Sequence, residues 1–211
     1  MRMVIFGPQG AGKGTQGALI SEKLGIPSIA TGEIFRWAIS GETSLGHKVQ
    51  EYVESGRLVP DELTIEIVRE RLLADDCVNG WLLDGFPRNV SQARALDDIV
   101  AEAGASLDAA LMIEVPEEES LRRIMGRRVC LQCGRNYHVD SPPANDWKCD
   151  RCGGDVVARR DDTEESVRTR LRLYHEQTEP LKAYYEERGL LRAVDGLGTP
   201  EAVFARVMEM L

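Results

Sequence analysis

The stretch MVIFGPQGAGKGT, residues 3–15, determines how the rest of the chain is interpreted. It begins as a short apolar strand, passes through closely spaced glycines and enters a helix. Gly7 to Lys13 follow the pattern G-x-x-x-x-G-K, in which backbone N–H groups surround phosphate groups and the lysine points at them. Glycine suits such a turn because side chains would block the phosphates and several positions need positive φ. The stretch therefore predicts a phosphate-binding loop.

The loop departs from the usual pattern at one position. Gly14 stands where Ser or Thr is common, and the hydroxyl follows one residue later, at Thr15. The alternative interpretation is a glycine-rich turn between a strand and a helix that binds no ligand. The apolar strand before the loop and the periodic helix after it favour phosphate binding.

The composition is typical of a globular protein. The chain has 211 residues, of which 43% are hydrophobic and 29% charged, enough for one large domain with small insertions. No apolar run approaches the ~20 residues of a membrane span, and no signal-peptide pattern is present. We therefore expect a cytoplasmic protein with reduced thiols and no membrane partner.

The charge is unevenly distributed. The formal net charge of −9 argues against a general nucleic-acid-binding protein. Residues 122–172, however, contain eleven Arg and one Lys against eight Asp and Glu, a local balance of +4. Arginine holds phosphate through two parallel hydrogen bonds, so this region suits a polyanion site. A solvated helix face with ion pairs is the alternative.

Short apolar segments alternate with helical patterns along the whole chain. The predicted strands are Met3 to Phe6, Ser28 to Ala30, Trp81 to Asp84, Ala109 to Val115 and Leu190 to Val194. This alternation predicts an α/β fold, a parallel five-stranded sheet with helices on both faces. Ligands bind at the carboxyl ends of the strands in such folds, so Gly7, Thr31, Asp84 and the Pro116 region are expected at one edge.

Three helix boundaries are predicted from local signals. Asp61 is expected to be the N-cap of a helix that runs to about residue 74. Ser91 is expected to cap a helix that ends at Gly104. Pro180 is expected to kink or divide a long helix near the C-terminus.

Four cysteines have the spacing C-x2-C…C-x2-C: Cys130, Cys133, Cys149 and Cys152. Two such pairs can supply four thiolates in a tetrahedron, which predicts a closed, structural zinc site. Two disulfides or four unpaired thiols are the alternatives. His138 could replace one ligand, although a surface histidine is the more ordinary interpretation. Cys77 lies outside the cluster.

Asp84 follows an apolar strand and begins the sequence Asp84-Gly85-Phe86-Pro87-Arg88. A carboxylate in that position beside a phosphate loop can hold Mg²⁺ or its waters, with Thr15 as a possible helper. Arg88 is expected on the same edge, where it can bind a second phosphate. The Phe86–Pro87 bond is expected to be trans by default, with cis as the alternative.

Taken together and in this order, the motifs resemble adenylate kinases, members of the nucleoside monophosphate kinase family, in their long bacterial form with a zinc-bearing lid. The motifs that carry the resemblance are Gly7 to Thr15, Thr31-Gly32 to Arg36, Asp84 to Arg88 with Gln92, Gly126-Arg127-Arg128, the four cysteines, and Arg159-Arg160-Asp161-Asp162 followed by Arg170. They extend over nearly the whole chain.

The resemblance implies an activity and a division of the chain. The activity is reversible, Mg²⁺-dependent phosphoryl transfer from ATP to AMP, giving two ADP, which maintains the adenine nucleotide pool. The implied divisions are a core of residues 1–29, 60–126 and 162–211, an AMP-binding segment of residues 30–59, and a zinc lid of residues 127–161. A monomer is expected, since closing lids need free surfaces.

The resemblance also assigns roles to residues. The ATP phosphates would lie against Gly10, Ala11, Gly12, Lys13, Gly14 and Thr15. Arg123 would lie against the ATP adenine. AMP would be bound by Thr31, Arg36, Arg57, Val59, Gly85, Arg88 and Gln92, with Gln92 recognising the adenine edge. The implied catalytic set is Lys13, Asp84, Arg88, Arg127, Arg159 and Arg170. Asp161 and Asp162 would help to fasten the closed lid.

Three alternative functions remain open at this point. A UMP/CMP kinase is the nearest, and Gln92 and the cysteines argue against it. A zinc-ribbon nucleic-acid-binding protein with a vestigial loop conflicts with the net charge, and a switch GTPase would need an N-K-x-D sequence that the chain lacks. Two residues depart from the family pattern: Gln9 stands where Pro or Gly is common, and Trp37 is bulky beside Arg36.

Overall fold

The computed structural model describes residues 1–211. Its strands, in chain order, are β1 (Arg2–Phe6), β2 (Ser28–Ala30), β3 (Trp81–Asp84), β4 (Ala109–Glu114), β5 (Arg127–Cys130), β6 (Asn136–His138), β7 (Val156–Ala158) and β8 (Leu191–Asp195). Five strands form a parallel sheet in the order β2–β3–β1–β4–β8, as the alternating pattern predicts. The other three form an antiparallel sheet in the order β6–β5–β7.

Nine α-helices connect and cover these strands. They are α1 (Lys13–Leu24), α2 (Thr31–Ser40), α3 (Ser44–Ser55), α4 (Asp61–Leu72), α5 (Val90–Glu102), α6 (Glu117–Gly126), α7 (Glu164–Leu173), α8 (Leu181–Glu186) and α9 (Pro200–Met210). A 3₁₀ turn spans Asp75–Cys77, and a π-helical turn spans Tyr174–Thr178. Pro180 divides the C-terminal helical region, as expected, because α8 begins directly after it. None of the helices combines the length and apolarity that crossing a bilayer requires.

The central sheet is buried on both faces, which explains why its strands are almost continuously apolar. Along β1, Met3 and Ile5 pack into one hydrophobic cluster, and Val4 and Phe6 pack into another on the opposite face. All four side chains are at most 3% exposed. This alternation follows from the two-residue period of a strand, so each residue from Met3 to Phe6 contributes to a core.

Strand register places the predicted site residues at one edge of the sheet. Asp84, the last residue of β3, lies opposite Ile5 in β1 and Ala30 in β2. The chain leaves β1 into the loop at Gly7 and leaves β2 directly into α2 at Thr31. The expected meeting of Gly7, Thr31 and Asp84 is therefore confirmed.

Two small units extend from the core. Helices α2 and α3 pack on each other around Phe35, Val49 and Val59. The antiparallel sheet forms the second unit, in which Cys130, Cys149 and Val156 are buried. Neither unit has a core large enough to be stable alone. The boundaries predicted for the AMP-binding segment and the lid stay predictions.

Two predicted helix caps are wrong. Asn89, and not Ser91, is the N-cap of α5: its side chain accepts from the Gln92 N–H at 2.8 Å. Asp61 is the first helical residue of α4 and follows Pro60, which occupies the N-cap position. Its carboxylate bonds to neighbouring side chains instead of capping its own helix.

Candidate functional site

A single cavity of about 1200 Å³ lies where the sheet edge, the α2–α3 unit and the antiparallel sheet meet. Every residue predicted to contact nucleotide lines it: Gly10, Ala11, Gly12, Lys13, Gly14, Thr15, Thr31, Arg36, Arg57, Val59, Asp84, Gly85, Arg88, Gln92, Arg123, Arg127, Arg159 and Arg170. Its wall contains ten Lys and Arg against six Asp and Glu. This local excess of positive charge, in a chain of net charge −9, suits a polyanionic ligand.

The glycines of the first loop have the backbone geometry that the motif requires. Gly12 is the N-cap of α1 and has φ of 96°, in the left-handed region. Gly10 has φ of 84°, and a Cβ there would lie 2.5 Å from the carbonyl oxygen of Ser120. Only glycine fits both positions without strain. The loop leads into the N-terminus of α1, where free N–H groups and the helix dipole favour an anion.

Lys13 lies within this loop with its charge only partly neutralised. Its ammonium donates to the carbonyl oxygens of Gly7 and Pro8, each at 2.8 Å. Burial lowers the pKa of Lys13 to about 8; the Asp84 carboxylate opposes that shift, and nearby arginines add to it. An ammonium in such surroundings gains strongly from an anionic ligand.

Three arginines of the predicted catalytic set converge on two adjacent aspartates. Arg159 donates two bonds of 2.7 Å to Asp161, and Arg170 donates another of 2.7 Å. Arg127 pairs with Asp162. Although burial acts in the opposite direction, the guanidiniums of Arg159 and Arg170 hold the pKa of Asp161 well below its usual range. Asp161 therefore stays ionised, and the two carboxylates together keep the three arginines assembled.

Burial and neighbouring positive charge lower the pKa of three arginines of the cavity. Burial lowers the pKa of Arg36 to about 10, and the Arg159 charge adds to this shift. The pKa of Arg88 and that of Arg127 are lowered by burial and then by a neighbouring guanidinium. The site thus holds several positive charges close together, an arrangement that bound phosphate oxygens would stabilise.

Position 14 is where the first loop, the sheet and the antiparallel unit meet. A Cβ at Gly14 would lie 3.8 Å from both the Asp84 carboxylate and the Asn136 amide. The Asp84 carboxylate is thus beside the phosphate loop, where a magnesium ligand was predicted. Thr15, the predicted helper, is exposed at the start of α1. These oxygen donors fit Mg²⁺, which prefers carboxylates, phosphates and water.

The α2–α3 side of the cavity carries the remaining predicted residues. Thr31 donates to the carbonyl oxygen of Gly85 at 3.0 Å, and Arg88 Nε donates to the same oxygen at 2.8 Å. Gln92 is 1% exposed. Arg57 lies over the ring of Tyr52, with 5.1 Å from Cζ to the ring centroid. The Phe86–Pro87 bond beside this group is cis, contrary to the default expectation.

Arg123 connects three parts of the opposite side. Its guanidinium pairs with Glu119 at 2.6 Å and donates to the carbonyl oxygens of Gly196 at 3.0 Å and Ala11 at 3.5 Å. These contacts join α6, the loop after β8 and the phosphate loop. The planar guanidinium is thereby fixed at the cavity wall, where it can stack on an aromatic base.

The four predicted metal ligands come together in the antiparallel unit. The Sγ atoms of Cys130, Cys133, Cys149 and Cys152 all lie within 4.8 Å of one another. The pairs Cys130–Cys152 and Cys133–Cys149 are 3.5 Å apart, too far for the roughly 2.05 Å of a disulfide. A zinc ion with thiolates at about 2.3 Å has sulfur–sulfur edges of about 3.8 Å, so the arrangement fits a tetrahedral metal site.

Tyr137 supports this cluster. Its hydroxyl donates to Cys149 Sγ at 3.4 Å and accepts from the Asp150 N–H at 2.8 Å. The bond from Tyr137 lowers the pKa of the Cys149 thiol to about 6, which favours the metal-binding thiolate near neutral pH. His138 is not part of the cluster and instead packs against Gly126.

Comparison with known proteins identifies the family. The adenylate kinase sequence model matches residues 5–190. The chain is 52% identical over its full length to 98% of an adenylate kinase of Clostridium perfringens (strain SM101 / Type A). It is 54% identical over 98% of its length to 96% of an adenylate kinase of Moorella thermoacetica. The chain belongs to the adenylate kinase family.

This adenylate kinase family member is therefore an enzyme of the nucleoside monophosphate kinase class. The full-length match excludes a zinc-ribbon protein with a vestigial loop and a switch GTPase as accounts of the whole chain. It also favours an adenine nucleotide acceptor over UMP and CMP. The resemblance based on the quoted motifs is thus confirmed.

Sequence reasoning missed one residue that lines the cavity, Asn136, and one that bonds to a lining side chain, Asp61. Asn136, in β6, has its amide nitrogen near Gly14, and Asp61 bonds to the Gln92 side chain at 2.7 Å. No local pattern identifies an asparagine in this cysteine-rich segment as a residue that lines the cavity. The carboxylate at position 61 resembled a helix cap, and its true partners lie about thirty residues along the chain.

Proposed function

We propose that the cavity binds MgATP and AMP side by side and that its basic side chains position the γ-phosphoryl group and neutralise its charge as it passes directly from ATP to AMP. The observation that supports this proposal is the excess of ten Lys and Arg over six Asp and Glu among the residues that line the cavity. ATP and AMP together bring a large negative charge. Phosphoryl transfer depends on positioning the reactants and neutralising that charge, rather than on covalent chemistry with the protein.

The first loop and the lid would hold ATP. The N–H groups of residues 10–15 surround its phosphates, and Lys13 leaves the carbonyls of Gly7 and Pro8 to bind them. Arg123, fixed by Glu119 and two backbone carbonyls, lies against the adenine. The proposed phosphate ligands from the remainder of the chain are Arg88, Arg127, Arg159 and Arg170.

The α2–α3 segment would hold AMP. Its proposed ligands are Thr31, Arg36, Arg57, Val59, Gly85, Arg88 and Gln92. Arg36 and Arg88 bind the AMP phosphate, which agrees with the lowering of their pKa values by burial. The apolar Val59 contacts the base, and the Gln92 amide hydrogen-bonds to its edge.

No general base is needed for the transfer. The AMP phosphate has a second pKa near ~6 and is already ionised at neutral pH. Asp84, with help from Thr15, would hold Mg²⁺, which neutralises charge on the transferred phosphoryl group. Asp161 and Asp162 hold Arg127, Arg159 and Arg170 near the reaction site, and these arginines would turn toward the phosphates when the nucleotides bind.

Water is the competing acceptor, so the cavity must close before transfer. We propose residues 127–161 as the lid and residues 30–59 as the second moving segment. Zinc on Cys130, Cys133, Cys149 and Cys152 would keep the lid rigid, because this unit is too small to be stabilised by its core alone. The chain would act as a monomer in the cytoplasm, where thiols stay reduced for the metal.

An acceptor panel tests the proposal. The protein is incubated with MgATP and AMP, UMP, CMP or GMP, and diphosphate formation is followed. AMP should be the preferred acceptor, and K13M should abolish most activity, whereas K23M at the exposed end of the same helix should not. Preference for a pyrimidine nucleotide, or equal loss in both lysine variants, would contradict the proposed site.

A further inference from the structure

The amide of Gln92 is held by two groups, the Asp61 carboxylate and the backbone N–H of Arg88. Its Nε2 donates to Asp61 Oδ1 at 2.7 Å, and its Oε1 accepts from the backbone N–H of Arg88 at 2.8 Å. Asn89 Nδ2 donates to both oxygens of the same carboxylate, at 3.0 and 3.1 Å. The Gln92 side chain lines the cavity, whereas Asp61 lies outside its wall.

These two partners permit only one orientation of the amide. A backbone N–H is always a donor and an ionised carboxylate always an acceptor. Rotation of the amide by 180° would place its NH₂ group against the Arg88 N–H and its oxygen against the Asp61 carboxylate. Both contacts would then be repulsive in a side chain that is 1% exposed, where an unpaired polar group is costly.

The fixed amide still has one N–H and one lone pair available for a ligand. Adenine has an acceptor at N1 and a donor at N6 on its Watson–Crick edge, which complements this pair. Hypoxanthine has the opposite pattern, a donor at N1 and an acceptor at O6. A site whose polar groups are fixed in this way rejects a base with the reversed pattern, because that base leaves buried groups unpaired.

We propose that Asp61 is a positioning residue that sets base selectivity: by fixing the Gln92 amide, it makes the enzyme prefer AMP over inosine monophosphate. This inference rests on the proposed function, in which Gln92 contacts the acceptor base. Asp61 does not touch the nucleotide. Without it, only the Arg88 N–H still orients the amide, so the rotated form that accepts hypoxanthine becomes accessible.

A purely structural role for Asp61 is the competing explanation, because an acid in the first turn stabilises a helix. Glu62 provides the matched control. It lies in the same turn of α4, is exposed and has no hydrogen bond or ion pair. Removal of either side chain deletes one negative charge from the N-terminus of α4, but only Asp61 contacts Gln92.

The test compares kcat/KM for AMP and for inosine monophosphate in wild type, D61A, D61N and E62A. The ratio of the two values should fall about tenfold or more in D61A, stay within about threefold in D61N, which keeps an oxygen acceptor, and be unchanged in E62A. The KM for MgATP should be unchanged throughout. In a Q92A background, D61A should alter the ratio no further, because its effect acts through Gln92.

An unchanged ratio in D61A, or an equal change in E62A, would overturn the inference while leaving the proposed function intact. A wild-type protein that phosphorylates neither nucleotide would instead contradict the proposed function. The two failures are therefore distinguished within one experiment.

Discussion

Arg127 and Asp162 form a two-point ion pair that joins the first strand of the antiparallel unit to the segment where the chain returns to the core. The guanidinium donates bonds of 2.8 and 2.6 Å to the two carboxylate oxygens. The Asp162 side chain is 6% exposed and also accepts from Gln9 of the phosphate loop at 3.2 Å. One buried carboxylate thus connects the antiparallel unit to the phosphate loop, and Gln9 supplies part of that connection.

Substitution D162A is expected to lower kcat at least about tenfold, because it leaves the half-buried Arg127 guanidinium without its partner and loosens the antiparallel unit. Removing one member of a buried pair lowers the free energy of unfolding by about 3–5 kcal/mol. Steady-state kinetics at saturating MgATP and AMP measure the effect. D140A is the control, since Asp140 pairs with Arg122 at the exposed surface, where a pair contributes about 0–1 kcal/mol. Equal kcat values in the two variants would contradict the role of Asp162.

The affinity for ATP is expected to fall with rising pH because of Lys13. Its depressed pKa of about 8 means that the free site holds the proton below that pH and loses it above. Bound phosphates favour the charged form of Lys13 and raise this pKa. ATP therefore binds with its full affinity below about pH 8 and progressively more weakly above it. Calorimetry should show roughly a tenfold weaker Kd at about pH 9.5 than at about pH 7.5.

The same titrations should show proton uptake on ATP binding above about pH 8, detected as a difference between buffers of unlike ionisation enthalpy. The phosphates themselves contribute little there, since their last pKa lies near ~6. K13M should bind ATP weakly with no pH dependence in this range. An unchanged Kd in wild-type protein across the range would contradict the depressed pKa.

The cysteine cluster is expected to hold about one zinc per chain by elemental analysis. Its removal by chelation should lower the melting temperature by roughly 5–10 °C, because a closed metal site contributes folding free energy. The chemical step should change less. C149S should lose the metal, whereas C77A should keep it, since Cys77 lies apart from the cluster beside Arg71. Metal-free native protein with full stability would contradict a structural zinc site.

Trp37 is expected to report closure of the α2–α3 segment. Its side chain is 59% exposed and lines the cavity beside Arg36. Binding of AMP should bury it, which shifts its emission to shorter wavelength. W37F should remove most of the AMP-induced change, and W147F, in the antiparallel unit, should retain it. A change that persists in W37F would assign the signal to another tryptophan.

The sheet and the phosphate loop could be predicted because they depend on local signals. Met3 to Phe6 are apolar on both sides of the strand, and the strand leads directly into the glycines. Burial of both faces and the need for positive φ leave few alternative sequences there. The clustering of the four cysteines could be predicted as well, since metal ligation fixes both residue type and spacing.

Local signals did not predict the partner of a side chain that can bond either to its own helix or to a distant element. Asp61 and Ser91 both have the chemistry of helix caps, yet Pro60 and Asn89 occupy those positions. The Asp61 carboxylate bonds to α5 instead, a contact that depends on how two helices pack. The same limit applies to Asn136, which reaches Gly14 only after the antiparallel unit folds over the loop.

The most direct test of the central claim follows the γ-phosphoryl group itself. ATP labelled on its γ-phosphate is mixed with Mg²⁺, AMP and the protein, and the products are separated. We predict that the label appears in ADP in step with ATP consumption, that each AMP used yields two ADP, and that little label enters inorganic phosphate. Release of labelled inorganic phosphate at a rate independent of AMP would contradict the account.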